Sequence, residues 1–192
     1  MHVDNASKTV FFHNPKTGGR SIVVGFDLPD DTRLKLVHFG PREARRCIFQ
    51  DSWDEFFTFC FVRNPWDRLV SLYEYHRSVQ YGIFQKMNVS HTLARQYDFD
   101  EWIAINQAKL RQSNWFGLPQ AHWMDDVTKV FRFEAFPEAF EEIADRMKRN
   151  VPVPHLNRSH RKPYQDYYKD PESIEVVRRI DHHVIDRFGY EF

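Results

Sequence analysis

At 192 residues and 42% hydrophobic content, the chain can fill one core, and no low-complexity linker divides it, so a single domain over residues 1–192 is expected. Lysine plus arginine equals aspartate plus glutamate at 27 each, which excludes a global basic field for nucleic acid or an anionic membrane; any anion site has to be local. No stretch suits a signal peptide, and none reaches the about 18 apolar residues of a membrane span, so a soluble, cytoplasmic protein is expected. Cys47 and Cys60 form no CxxC pair and read as buried thiols. Ten histidines occur without an HExxH, adjacent His182 and His183 would face different ways on a helix, and no metal site is expected.

Taken in chain order, Val10-Phe11-Phe12 is a short apolar run closed by Asn14-Pro15, and Gly18-Gly19 precedes the apolar stretch Ile22 to Phe26. This reads as strand, tight loop, helix. Leu34 to Phe39 reads as a second strand, and Pro41 opens a short helix bearing Arg42, Arg45 and Arg46. Phe56 to Val62 is almost wholly apolar, as in a strand covered on both faces of a parallel sheet. Asn64 is a good N-cap with Pro65 at the first helical position, and Trp66, Leu69, Val70 and Tyr73 share one face of the helix that follows. The segment Gly82 to Asp98 has weak periodicity and reads as mobile or substrate-facing. Helices are expected over Phe99 to Ala108, Pro137 to Arg149 and Pro171 to Phe188, and a strand over Lys129 to Phe133. Strands alternating with helices predict an α/β fold, P-loop-like, with a central, mainly parallel sheet flanked by helices.

Chemistry concentrates first in Asn14-Pro15-Lys16-Thr17-Gly18-Gly19-Arg20-Ser21, where the strand gives way to a helix. Backbone N–H groups at such a junction can face an anion, glycines allow close approach, Lys16 adds a point charge, and Thr17 and Ser21 add hydroxyls. An ordinary glycine turn with an exposed lysine is the bland alternative. The loop is not the GxxxxGK[ST] of ATP-binding proteins, because Lys16 precedes Gly18 and Gly19. The strand Phe56 to Val62 runs into Arg63 rather than a magnesium-holding aspartate, so phosphate binding without a metal is indicated.

Pro15-Lys16-Thr17-Gly18-Gly19-Arg20-Ser21 resembles the 5′-phosphosulfate loop of sulfotransferases that use 3′-phosphoadenosine 5′-phosphosulfate (PAPS). Phe61-Val62-Arg63-Asn64-Pro65-Trp66-Asp67-Arg68-Leu69-Val70-Ser71 resembles the same family's 3′-phosphate motif. His155-Leu156-Asn157-Arg158-Ser159, Arg132-Phe133-Glu134 and the closing Phe188-Gly189-Tyr190-Glu191-Phe192 resemble its carbohydrate-sulfotransferase branch. The resemblance implies that Lys16, Thr17, Gly18, Gly19, Arg20 and Ser21 hold the 5′ end of the donor and that Arg63 and Ser71 clamp its 3′-phosphate. It further implies that Ser159 and Arg161, with Lys162, belong to a donor-rich loop over the nucleotide. Many members have threonine where this chain has Arg20, a longer and always charged group.

The implied reaction moves the sulfuryl group of PAPS to a hydroxyl, leaving 3′-phosphoadenosine 5′-phosphate (PAP). By analogy with phosphoryl transfer it depends on positioning and electrostatics. Lys16 suits the leaving group. His38, at the end of the Leu34 to Phe39 strand, is the candidate base, with His13, His76 and His122 as rivals. Trp115, Phe116, Gln120 and Trp123 form either an acceptor wall or core, Phe133 either lies against adenine or fills the core, and Arg42, Arg45 and Arg46 either meet an anionic sugar or face solvent. A glycan or another small molecule is the expected acceptor. Two other readings stand beside this one: a nucleotide-dependent kinase, and a catalytically silent nucleotide-binding module.

Overall fold

The computed structural model describes residues 1–29, 39–78, 89–110, 118–154 and 161–192. The chain divides into two compact units, Met1–Arg63 with Gln120–Arg158, and Asn64–Pro119 with Ser159–Phe192.

The first unit is built on a four-stranded sheet in the order β1 (His2–Asp4), β2 (Thr9–Phe12), β3 (Phe57–Val62), β4 (Lys129–Arg132). Strands β2, β3 and β4 run parallel and β1 antiparallel, which gives the mainly parallel α/β sheet expected. All six residues of β3 are buried, as its apolar run requires of a strand covered on both faces. Phe11, Phe59, Phe61 and Phe131 form a layer on one face, joined by Ile22 of α1 (Gly19–Gly25) and by Phe140 and Ile143 of α7 (Phe136–Met147). Phe26, just past α1, stacks on Phe140 with ring centroids 4.3 Å apart. Pro41 does open a helix, α2 (Pro41–Ala44), and α6 (Ala121–Met124) follows Gln120.

The strand β1 was not foreseen. It is three residues long, too short to show a period, and is turned back by Asp4, whose carboxylate accepts from the Ala6 N–H (3.1 Å) and the Ser7 hydroxyl (3.0 Å). Two expectations need correction. Cys47 is exposed, carried on the wide helical turn Arg45–Phe49, while Cys60 is buried in β3. Phe133 does not extend β4 but opens a short 3-10 turn, Phe133–Ala135. Of the expected strand Leu34 to Phe39, all but Phe39 lie outside the described residues.

The second unit is helical: α3 (Pro65–Ser78), α4 (Val89–Gln96), α5 (Phe99–Leu110) and α8 (Pro171–Phe188), with a 3-10 turn at Tyr164–Tyr167. Helix α4 forms inside the weakly periodic segment Gly82 to Asp98, read as mobile or substrate-facing; residues 82–88 of that segment lie outside the described ones. Asn64 caps α3 as expected, its Oδ1 accepting from the N–H groups of Trp66 (3.1 Å) and Asp67 (3.2 Å). Asp170 caps α8 by accepting from the Glu172 N–H at 2.9 Å. Two hydrogen bonds hold the interior: Trp66 Nε1 donates to the Ile174 carbonyl (3.1 Å, part-buried), and the Tyr168 hydroxyl donates to the Trp66 carbonyl (3.0 Å, buried). Among the described residues, no helix is long and apolar enough to cross a membrane.

Candidate functional site

In the first unit the parallel strands β2, β3 and β4 all release the chain at their carboxyl ends, the edge where ligands of open α/β sheets bind. After β2 the chain turns sharply, with the Asn14 N–H donating to the Phe12 carbonyl at 3.0 Å. Lys16 (φ 68°) and Gly18 (φ 82°) take the left-handed backbone that anion-binding turns of successive N–H groups use. The Thr17 side chain is fully buried, and its hydroxyl donates to the Asn14 carbonyl at 2.8 Å, so it braces the loop from within.

The two glycines have separate reasons. Gly18 has a positive φ, and a Cβ there would stand 2.9 Å from the Phe133 ring. Gly19 lies against the His13 imidazole, which leaves no space for a methyl group.

Arg63 follows β3 and is nine-tenths buried, its Nη1 donating to the Lys16 carbonyl at 3.0 Å and its guanidinium stacked 4.4 Å above the Phe133 ring. Beneath it lies Gln120, fully buried. The Gln120 Oε1 accepts from the Arg63 N–H (3.0 Å) and from Asn14 Nδ2 (3.1 Å), and its Nε2 donates to the Arg63 carbonyl (2.9 Å). Asn14 Nδ2 also donates to the Phe61 carbonyl at 2.9 Å. The first unit thus brings Lys16, Thr17, Gly18, Gly19 and Arg63 into one constellation. Ser21 is buried in the first turn of α1, and Arg20 beside it is exposed.

The remaining candidates fall elsewhere. Ser71 lies in α3 of the second unit. Arg161, also in that unit, is ion-paired with Asp67 in the first turn of α3. His38, Ser159, Trp115 and Phe116, with the stretch His155 to Ser159, lie outside the described residues. Of the rival bases, His13 stacks on Phe11 (centroids 5.6 Å apart), His76 is buried against His91 (4.6 Å), and His122 packs edge-on to Trp123 (4.9 Å). Trp123 is core, as its alternative reading held. Arg42 and Arg45 pair with Asp125 (3.3 Å) and Asp126 (3.9 Å), as expected of a solvated face.

Sequence reading missed what Asn14 and Gln120 do. The signal was present only as two uncharged polar residues beside a proline or in an aromatic stretch, and their partnership spans 106 positions.

The sulfotransferase family model matches residues 41–191, about four-fifths of the chain by those bounds, and the chain belongs to that family. The matched span contains Arg63 and begins after the Lys16 loop. No curated protein and no solved structure matches the chain.

Proposed function

We propose that the chain transfers the sulfuryl group of PAPS to an acceptor hydroxyl, giving PAP and a sulfate ester. The observation that carries this is the 3.0 Å bond from Arg63 to the Lys16 carbonyl, which joins the two donor-binding motifs of a sulfotransferase-family chain. The chemistry of these residues suits a nucleotide with phosphates at both ends: a glycine-containing loop that carries a lysine, and a rigid guanidinium fork bonded to that loop.

In this reading the Lys16 ammonium and the loop amides stabilise the bridging oxygen that gains charge as its bond to sulfur breaks. Arg63 and Ser71 read the 3′-phosphate. The acceptor oxygen attacks sulfur in line, and its proton passes to a base, for which His38 is proposed, a role typically worth about 10² to 10⁴ in rate. Ser159, Arg161 and Arg20 are proposed as further donor contacts, with Arg161 exchanging Asp67 for the ligand. The acceptor is proposed to be a carbohydrate or another small hydroxyl compound.

Labelled PAPS offered against pooled glycans and small alcohols tests the proposal. Transfer of label to an acceptor, abolished in Lys16→Ala, is expected. No transfer to any pool, together with phosphate transfer from ATP and magnesium, would replace it with a kinase.

A further inference from the structure

Gln120 does for Arg63 what a neighbouring strand would do. A residue inside a parallel or antiparallel ladder has both its N–H and its C=O taken up by the next chain. Arg63 lies one residue past the end of β3, where the pairing with β4 stops at Val62↔Arg132. There the Gln120 carboxamide, 57 positions along the chain, meets both backbone groups of Arg63, its oxygen at 3.0 Å from the nitrogen and its nitrogen at 2.9 Å from the oxygen. The same oxygen takes Asn14 Nδ2 at 3.1 Å, and Asn14 is the residue whose carbonyl holds Thr17 inside the Lys16 loop. One amide therefore sets the backbone of Arg63 and the root of the loop after β2 against each other.

We infer that Gln120 is a positioning residue that fixes Arg63 relative to the Lys16 loop and so sets how well the protein distinguishes a 3′-phosphorylated nucleotide from one without that phosphate. The inference rests on the proposed donor for its functional readout. It needs a neutral amide of this length. Asparagine is one methylene short, and leucine of similar bulk leaves the Arg63 N–H, the Arg63 carbonyl and Asn14 Nδ2 buried without this partner. Glutamate matches the shape, but its carboxylate is an acceptor only, so it cannot donate to the Arg63 carbonyl. Its protonated form can. Burial disfavours the charged form and moves the titration of such a group upward into a workable range.

The test uses full-length parent, Gln120→Glu and Gln120→Leu. Calorimetry with PAP and with adenosine 5′-monophosphate at about pH 5.5 and pH 8 gives the preference of each protein, referred to the parent at the same pH because the 3′-phosphate itself titrates. For Gln120→Glu the preference should stay near parental at the lower pH. It should fall about tenfold at the higher one, the factor that corresponds to about 1.4 kcal/mol. Amide exchange at Arg63 in the ligand-free proteins is the second arm: protection should be parental in Gln120→Glu at both pH values, because its oxygen accepts from the Arg63 N–H whether or not it is protonated, and lost in Gln120→Leu, provided it folds. A parental preference in Gln120→Glu at both pH values overturns the inference, and so does parental Arg63 protection in a folded Gln120→Leu. If the parent itself does not prefer PAP, the donor reading fails, and the exchange arm alone still decides whether Gln120 fixes Arg63.

Discussion

Lys16 holds a left-handed backbone, φ 68°, that a glycine adopts without steric cost and that a lysine does not. Outliers of this kind cluster where a side chain is needed for function, at a cost of about 1–3 kcal/mol each. Lys16→Gly is therefore expected to keep or raise the melting temperature while lowering sulfuryl transfer by at least about 10²-fold, the scale for removing one preorganised charge stabiliser. Unchanged transfer would leave Lys16 without a chemical role. Gly19 makes the opposite case: Gly19→Ala would press a methyl group into the His13 ring, so the loop must shift. Loss of PAP binding with a modest fall in melting temperature is expected from titration and thermal unfolding. Parental PAP binding would show that the loop geometry tolerates the shift.

At the scale of elements, the second unit is organised by α3 and α8, joined by a fully buried ion pair in which Arg68 Nη2 donates to Asp181 Oδ2 at 3.2 Å. Asp181 stands where α8 departs from helical geometry, at φ −110° and ψ 23°. Removing one partner strands the other charge, so Asp181→Ala should cost about 3–5 kcal/mol, whereas the apolar pair Arg68→Met with Asp181→Leu should cost much less. Chemical denaturation of the two variants and the parent checks this, and equal losses would contradict it.

Helix α4 carries a pH dependence. Burial, with Arg95 adding to it, holds the His91 imidazole below its usual 6.5. Below that value the unfolded chain takes up a proton that the folded state resists, so stability present near neutrality is lost as pH falls from about 6.5 through the lowered pKa. Among the described groups around His91 are Tyr75 and His76 of α3 and Arg95 of α4. Exchange protection of Val89–Gln96 should fall on acidification, and His91→Asn should flatten that fall; an identical fall in the variant would assign it elsewhere.

The same elements show what the sequence could reveal. Helix α8 runs over Pro171–Phe188, the bounds its proline and periodicity predict, and α3 begins at the proline after its asparagine cap, because both carry their start signals locally. Strand β3 was legible as an unbroken apolar run. What stayed hidden is tertiary. No spacing within β1 marks a strand, nothing near Arg45–Phe49 tells that Cys47 faces outward, and the pairing of Gln120 with Arg63 is made by chain path alone. The Lys16 loop and Arg63 were legible as motifs, but not the bond between them or the Phe133 ring under the guanidinium.

For the whole molecule, the chain belongs to the sulfotransferase family and carries Lys16 and Arg63 at the carboxyl edge of an α/β sheet, and the donor proposed above has phosphates at both ends. A ligand that binds only the folded state stabilises it by about 2.7 kcal/mol at a hundredfold excess over its Kd, so PAP should raise the melting temperature and ATP with magnesium should not match it. The sharpest distinction is the 3′-phosphate, which PAP has and adenosine 5′-phosphosulfate lacks. Calorimetry of both ligands on the parent and on Arg63→Ala shows whether Arg63 reads that phosphate. The parent should prefer PAP, and Arg63→Ala should lose about 1.5–3 kcal/mol of PAP affinity, the range for a hydrogen bond to a charged group, with little change toward adenosine 5′-phosphosulfate. An Arg63→Ala protein that keeps the parental preference, or a parent that shows none, would contradict that role.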